Sequence, residues 1–173
     1  HSWGTSARTG PLAETADGFT PGQQRVIEGD YFATLGIPLL EGRTFDARDH
    51  AGATPVAVVS ERIARALFPG MSSLGQRIRA GGAEREIVGV VADVALDHEG
   101  GAGGFIYHAH AQFAENRNWA LTYIVSAERD AASLVPAVRR AVSEVDPQLV
   151  VHEPALLDDV LEQGRSRRRF AFV

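Results

Sequence analysis

His108 and His110 stand two positions apart, and Asp97, His98 and Glu99 lie a short distance before them. Imidazoles and carboxylates are the usual ligands of a hydrolytic zinc ion, which makes a nucleophile of bound water. The segment Phe105 to Ala111 has the composition of a strand, and a side-chain period of two would put both imidazoles on one face. His108, His110 and Asp97 would then be the seed of a metal-dependent hydrolase. The spacing matches no ligand pattern typical of a metal. Solvent-facing polar positions beside a glycine-rich connector account for the pair more simply, and no metal ligand is assigned.

Other chemistry is equally sparse. Ser60, Ser72, Ser73, Ser126 and Ser133 are the serines to test as nucleophiles, and none sits in a G-x-S-x-G elbow. Ser60 and Ser133 precede helical stretches, where a capping role explains them. Asp46, Asp49, Glu84, Glu86, Asp93 and Asp97 offer carboxylates for acid–base work, but charged side chains most often form a solvated face. The glycines at 81–82 and 100–104 lack the strand before, helix after and Lys-Ser/Thr that a phosphate loop needs. The chain contains no lysine at all. No catalytic residue and no cofactor follows from these residues, and the chain reads as non-enzymatic.

The bulk properties narrow the class further. With 173 residues, 45% hydrophobic and 23% charged, the chain can bury a real core in one domain or two small lobes. A net charge of −5 gives no overall attraction to nucleic acid, so no such partner is expected. The absence of cysteine excludes disulfides and thiolate metal sites. No apolar run approaches the roughly 20 residues that span a bilayer. The start at His1, with Met71 the only methionine, suggests a piece excised from a longer polypeptide.

The elements that position these residues can be read in order. Residues 1 to 22, rich in Gly, Ser, Thr and Pro, read as loop or loose edge with at most a short strand. Gln24 to Glu28 is a strand candidate. Asp30 caps a short helix, Tyr31 to Leu35, which Gly36 ends in a left-handed conformation. Pro38 to Leu40 is extended, Glu41-Gly42 a turn, and Phe45 to Thr54 a polar surface loop. Pro55 to Val59 is a continuous apolar run of strand length, hence a buried strand. Ile63, Ala64, Leu67 and Phe68 share one helical face, which Pro69-Gly70 terminates. Gln76 to Ala80 and Glu84 to Val94 form a hairpin around Gly81-Gly82. Ala120 to Ala127 reads as a strand. A helix over 133–145 follows with Leu134, Val138, Ala141 and Val145 as its stripe, then a strand over Leu149 to His152, together a β-α-β unit. Pro154 opens a last helix. This order of strands and few helices predicts an α+β fold.

The one strong charge feature is Arg165, Arg167, Arg168 and Arg169, followed by Phe170-Ala171-Phe172-Val173. A solvated helix end explains the arginines. A membrane-proximal segment touching lipid phosphates explains both the arginines and the apolar ending, so Arg165, Arg167, Arg168, Arg169 and Phe170 are assigned there.

Several motifs, in order, resemble the MacB-like periplasmic core domain of ABC transporter permeases, of the FtsX-like kind. They look most like the branch of paired permeases known as acidobacterial duplicated orphan permeases. They run Gly29-Asp30-Tyr31-Phe32, Thr34 to Leu40, Gly42-Arg43-Thr44-Phe45, Pro55 to Glu61, Leu67 to Gly70, Leu74 to Arg79 and Ile87 to Val94. Ile106-Tyr107, Gln112, Ala137 to Val142, Val145-Asp146-Pro147 and Arg169-Phe170 extend the likeness. Ser72-Ser73 stands where the family usually shows Asp-Pro, and Ala109 where it shows Pro.

The resemblance implies a bacterial two-lobed domain outside the inner membrane, part of an integral permease. A membrane-proximal, porter-like β-α-β lobe would comprise 1–33 and 101–173, with a mixed α/β outer lobe inserted at 34–100. It implies a non-catalytic role, coupling ATP-driven changes in the membrane part to export or hand-over of substrate. The implied partners are the membrane helices of the same permease, a second permease copy or dimer partner, a cytoplasmic ATPase, and a periplasmic adaptor or carrier protein. An extracytoplasmic ligand-binding or sensor domain is the alternative.

Overall fold

The computed structural model describes residues 10–15, 18–94, 104–113, 122–127, 131–148, 155–156 and 159. The chain divides into two compact units, Ser2–Tyr123 and Ile124–Val173. The first contains strands β1 (Gly10–Thr15), β2 (Gly18–Ile27), β3 (Leu39–Gly42), β4 (Val56–Ser60), β5 (Arg77–Ala80), β6 (Ala83–Val91) and β7 (Gly104–Ala109). It also holds the short helices α1 (Tyr31–Thr34) and α2 (Glu61–Leu67). The fold is α+β with a mixed sheet, as the residue pattern predicts.

The strands run β3-β6-β4-β7-β2-β1-β5, and β5 pairs again with β6. Six strands thus close into a ring, with β3 attached outside it to β6. Closure removes the exposed sheet edges that would otherwise invite pairing with other chains. The ring is completed where Glu14 of β1 pairs with Arg79 of β5. Residues 10–22, expected to be mostly loop, instead form the β1–β2 hairpin. Their small and turn-forming residues suit a β-hairpin as well as a loop, and only the partner strands decide between the two. Glu41-Gly42, expected as a turn, lies within β3, opposite Val90 and Gly89.

β4 shows why this chain needs an unbroken apolar run. All five of its residues are buried. Ala57 and Val59 join Ile63, Ile78, Ala80, Ile87, Val90 and Ile106 in a cluster packed by Ala64, Leu67 and Phe68 on the α2 side. Val58 joins Ile27, Phe32, Ile37, Val91, Phe105 and Tyr107 in a second cluster packed by Tyr31 and Leu35 on the α1 side. Both faces of the strand are covered, so neither can be polar. At Gly89 any Cβ would collide with the Arg43 carbonyl oxygen, which fixes a glycine where the chain leaving β3 crosses β6.

β7 pairs with β2 on one side and with β4 on the other. The second unit holds a 3-10 turn, Ala131–Leu134, and helix α3, Val135–Val145, with Pro136 in its first turn. Residues 122–127, expected as a strand, form no ladder with any described residue and are exposed. The half-buried positions of this helical segment are Leu134, Val135, Val138 and Val142, whereas Val145 is 82% exposed. The expected stripe is thus rotated by its last two members. The strand expected at 149–152, most of the final helix, and Arg165, Arg167, Arg168, Arg169 and Phe170 lie outside the described residues.

Candidate functional site

The two histidines read as neighbours on one face part company. β7 ends at Ala109, and His110 begins a 3-10 turn, His110–Gln112. His110 is part-exposed, with Nδ1 3.3 Å from a Glu28 carboxylate oxygen. His108 is not solvent-facing as expected but fully buried. Asp97, His98 and Glu99 lie outside the described residues, among which no three metal-ligating side chains converge.

His108 is the centre of a sealed polar cluster at one end of the ring. On its own strand it shares a face with Ile106, and its backbone lies between Val26 of β2 and Ala57 of β4. Its Nε2 is 2.9 Å from Gln24 Oε1, so the Nε2–H tautomer donates there. Nδ1 is sealed from solvent and has no hydrogen-bond partner. Phe113 lies tilted against the imidazole at 5.0 Å between ring centres. The same ring carries the Arg85 guanidinium at 5.6 Å. Arg85 is 3% exposed and donates from Nε to the Ala80 carbonyl at 3.2 Å and from Nη1 to the Val56 carbonyl at 3.5 Å. No described carboxylate pairs with it. Burial, reinforced by the Arg85 charge, lowers the His108 pKa to about 3, so the imidazole is neutral near pH 7.

The remaining candidates are absorbed by structure. Ser60 Oγ accepts the Phe105 backbone N–H at 3.0 Å and does not cap α2. Asp93 does that from 31 residues downstream, its Oδ1 accepting the Arg62 N–H at 3.1 Å. Ser72 Oγ accepts from the Leu74 N–H, and Ser73 is buried. Ser126 and Ser133 are exposed. Glu84 pairs with Arg77 at 3.0 Å across the β5–β6 hairpin. Asp49 is buried in the loop after β3 and takes a two-pronged contact from Arg43 at 2.7 and 2.8 Å. Asp46 holds Arg48 at 2.7 Å. Hydrogen bonds from the neighbouring arginines keep both carboxyls well below the usual range. Gln112, which no chemical pattern singles out, takes the Val56 N–H and donates to the Thr54 carbonyl, pinning the entry to β4. The ties of Ser60, Asp93 and Gln112 join residues far apart in sequence, and no local signal announces them.

A small open cleft of about 70 Å³ lies between α1 and the chain after β3, lined by Ile27, Asp30, Phe32, Thr44 and Phe45 among others. It contains a single carboxylate, Asp30, and no convergent base or nucleophile.

Several solved structures share the fold. The periplasmic region of MacB from Actinobacillus actinomycetemcomitans aligns with a TM-score of 0.61 at 16% identity, covering 81% of this chain. The chain spans 64% of that structure's length. The extracellular domain of YknZ, described as a noncanonic ABC-type transporter from Gram-positive bacteria, aligns with a TM-score of 0.58 at 20% identity. That alignment covers 78% of this chain and 70% of the other. No curated protein matches the sequence. The family profile of the MacB-like periplasmic core domain matches residues 4–147, and the chain belongs to that family.

Proposed function

We propose that this chain is the extracytoplasmic domain of a bacterial ABC transporter permease of the duplicated orphan branch. In this reading it does no chemistry and transmits ATP-driven changes in the membrane part to export or hand-over of a substrate. The family match over residues 4–147 carries the reading. The commitment of Ser60, Asp49, Asp93 and Arg85 to backbone and packing contacts supports a shape-giving role over a catalytic one. In this reading residues 34–100 form the outer lobe and residues 1–33 and 101–173 the membrane-proximal lobe, with Arg165, Arg167, Arg168, Arg169 and Phe170 at the lipid surface. Its partners are the permease's own membrane helices, a second permease copy, a cytoplasmic ATPase and a periplasmic adaptor or carrier.

The cysteine-free sequence makes the test direct. Arg79, exposed on β5, is replaced by Cys in the full permease and labelled with a membrane-impermeant maleimide. Labelling from outside the inner membrane, at a rate that changes on vanadate trapping of the ATPase, is the expected result. Labelling only after lysis, or at a rate blind to nucleotide, overturns the reading. The open cleft beside α1 favours a second reading, an extracytoplasmic ligand-binding or sensor domain. A thermal shift with a peptide or metabolite that Phe45→Ala abolishes would favour it.

A further inference from the structure

A fully buried imidazole with one unsatisfied nitrogen, beside a buried guanidinium that no described carboxylate pairs with, is an unusual thing to seal into a barrel end. Burying a charge is tolerated only when it is paired and hydrogen-bonded. Protonation would place a hydrogen on Nδ1 of His108, where no acceptor waits, and a second positive charge near Arg85. The cluster is roofed by two chain reversals. At Gly81, in the β5–β6 turn, a Cβ would fall 2.7 Å from the Phe113 ring, 3.2 Å from Gln24 Oε1 and 3.3 Å from the His108 ring. Phe113 itself follows the 3-10 turn that begins at His110.

The groups facing His108 can be named element by element. β2 contributes uncharged Gln24, β4 contributes Ala57, and the β5–β6 turn contributes Gly81. The 3-10 turn contributes Phe113, and β6 contributes Arg85, the sole charge there among the described residues. Arg77, Arg79 and Glu84 of the hairpin are exposed, and His110 pairs with Glu28. Nothing at the site welcomes a second cation.

We propose that the sealed Gln24–Arg85–His108 cluster is an acid-sensitive latch, in which protonation of His108 releases the β5–β6 turn and the 110–113 turn from the end of the ring. Neutral His108 holds both turns down. The imidazolium draws water to Nδ1 and separates from Arg85, and the two turns lift because they are what covers it.

Hydrogen exchange on the 173-residue chain, corrected for intrinsic rates, tests this between pH 7.5 and 5. With an ordinary imidazole in the open state, protection of amides in β5, the β5–β6 turn and 108–113 falls roughly 30-fold by pH 5. The β3–β6 ladder at residues 89–91 keeps its protection. Equal loss at every amide means global unfolding and overturns the latch, as does no loss at all. His108→Gln, which keeps a hydrogen-bonding side chain and cannot titrate, is expected to abolish the pH dependence. If that variant does not fold, nitrogen NMR of the wild-type imidazole decides. A neutral Nε2–H ring at pH 6 is expected, and a ring that titrates near 6.5 with unchanged amide protection overturns the proposal.

Discussion

The ring end around His108 and the loop after β3 both concentrate polar side chains, and they handle charge in opposite ways. In the loop, Arg43, Asp46, Arg48 and Asp49 alternate in sign, and all but the buried Asp49 stay close to water, with Arg48 and Asp46 71% and 41% exposed at their side chains. At the ring end one guanidinium and one imidazole are sealed together, and carbonyls and an aromatic face do the work of a counter-ion. Water lowers both the cost and the value of the loop's ion pairs. Its exclusion raises both at the ring end. Polar density alone therefore says little about how much a region contributes to the fold.

The largest effect should come from cutting the sealed side. Arg85→Ala removes the packing on Phe113 and the buried hydrogen bonds to the Ala80 and Val56 carbonyls, at about 3 kcal/mol in chemical denaturation. An effect below that of any loop substitution would erase the contrast. Acid comes next. The His108 pKa is lower folded than unfolded, so below about 6.5 the unfolded chain binds a proton that the folded one refuses until about pH 3. Stability is therefore flat above pH 6.5 and falls through that window, by about 2 kcal/mol at pH 5. The Asp49 carboxyl acts in the same direction, at lower pH. Its pKa is depressed on folding, so its contribution is intact above the ordinary value near 3.8 and is lost only below it. A stability profile that starts to fall only below pH 4 would assign acid sensitivity to the loop instead.

Smaller changes sharpen the comparison further. Asp49→Ala should cost about 1 kcal/mol, because Arg43 is part-exposed and can rehydrate. Tyr107 carries a sealed hydroxyl with no partner, so Tyr107→Phe should be neutral or stabilising by up to about 1 kcal/mol in a melt. Arg48→Ala, on the exposed side, should leave the melting temperature unchanged. Raising salt to 1 M shortens the screening length to about 3 Å and should weaken only the loop.

The parts legible in the sequence are those whose cause lies within a few residues. The apolar run before Ser60 announces β4, and the glycine pair at 81–82 announces the β5–β6 hairpin, whose register pairs Ala80 with Ala83. Gly36 ends α1 with φ at 64° as its position suggests. Motif order along the chain was enough to indicate the family. The site was much less legible. Alternation placed His108 and His110 on one face, and a strand that stopped one residue earlier separated them.

What the sequence by itself determined is therefore the set of local pieces, their order and the family, because propensity, periodicity and turn chemistry act over short spans. What only the tertiary structure decided is which pieces meet. The β1–β5 closure turns a sheet into a ring, Asp93 reaches back to cap α2, and His108 sinks beside Arg85. Each depends on contacts across many residues, where burial and desolvation set the free energy and no short stretch of sequence carries the information.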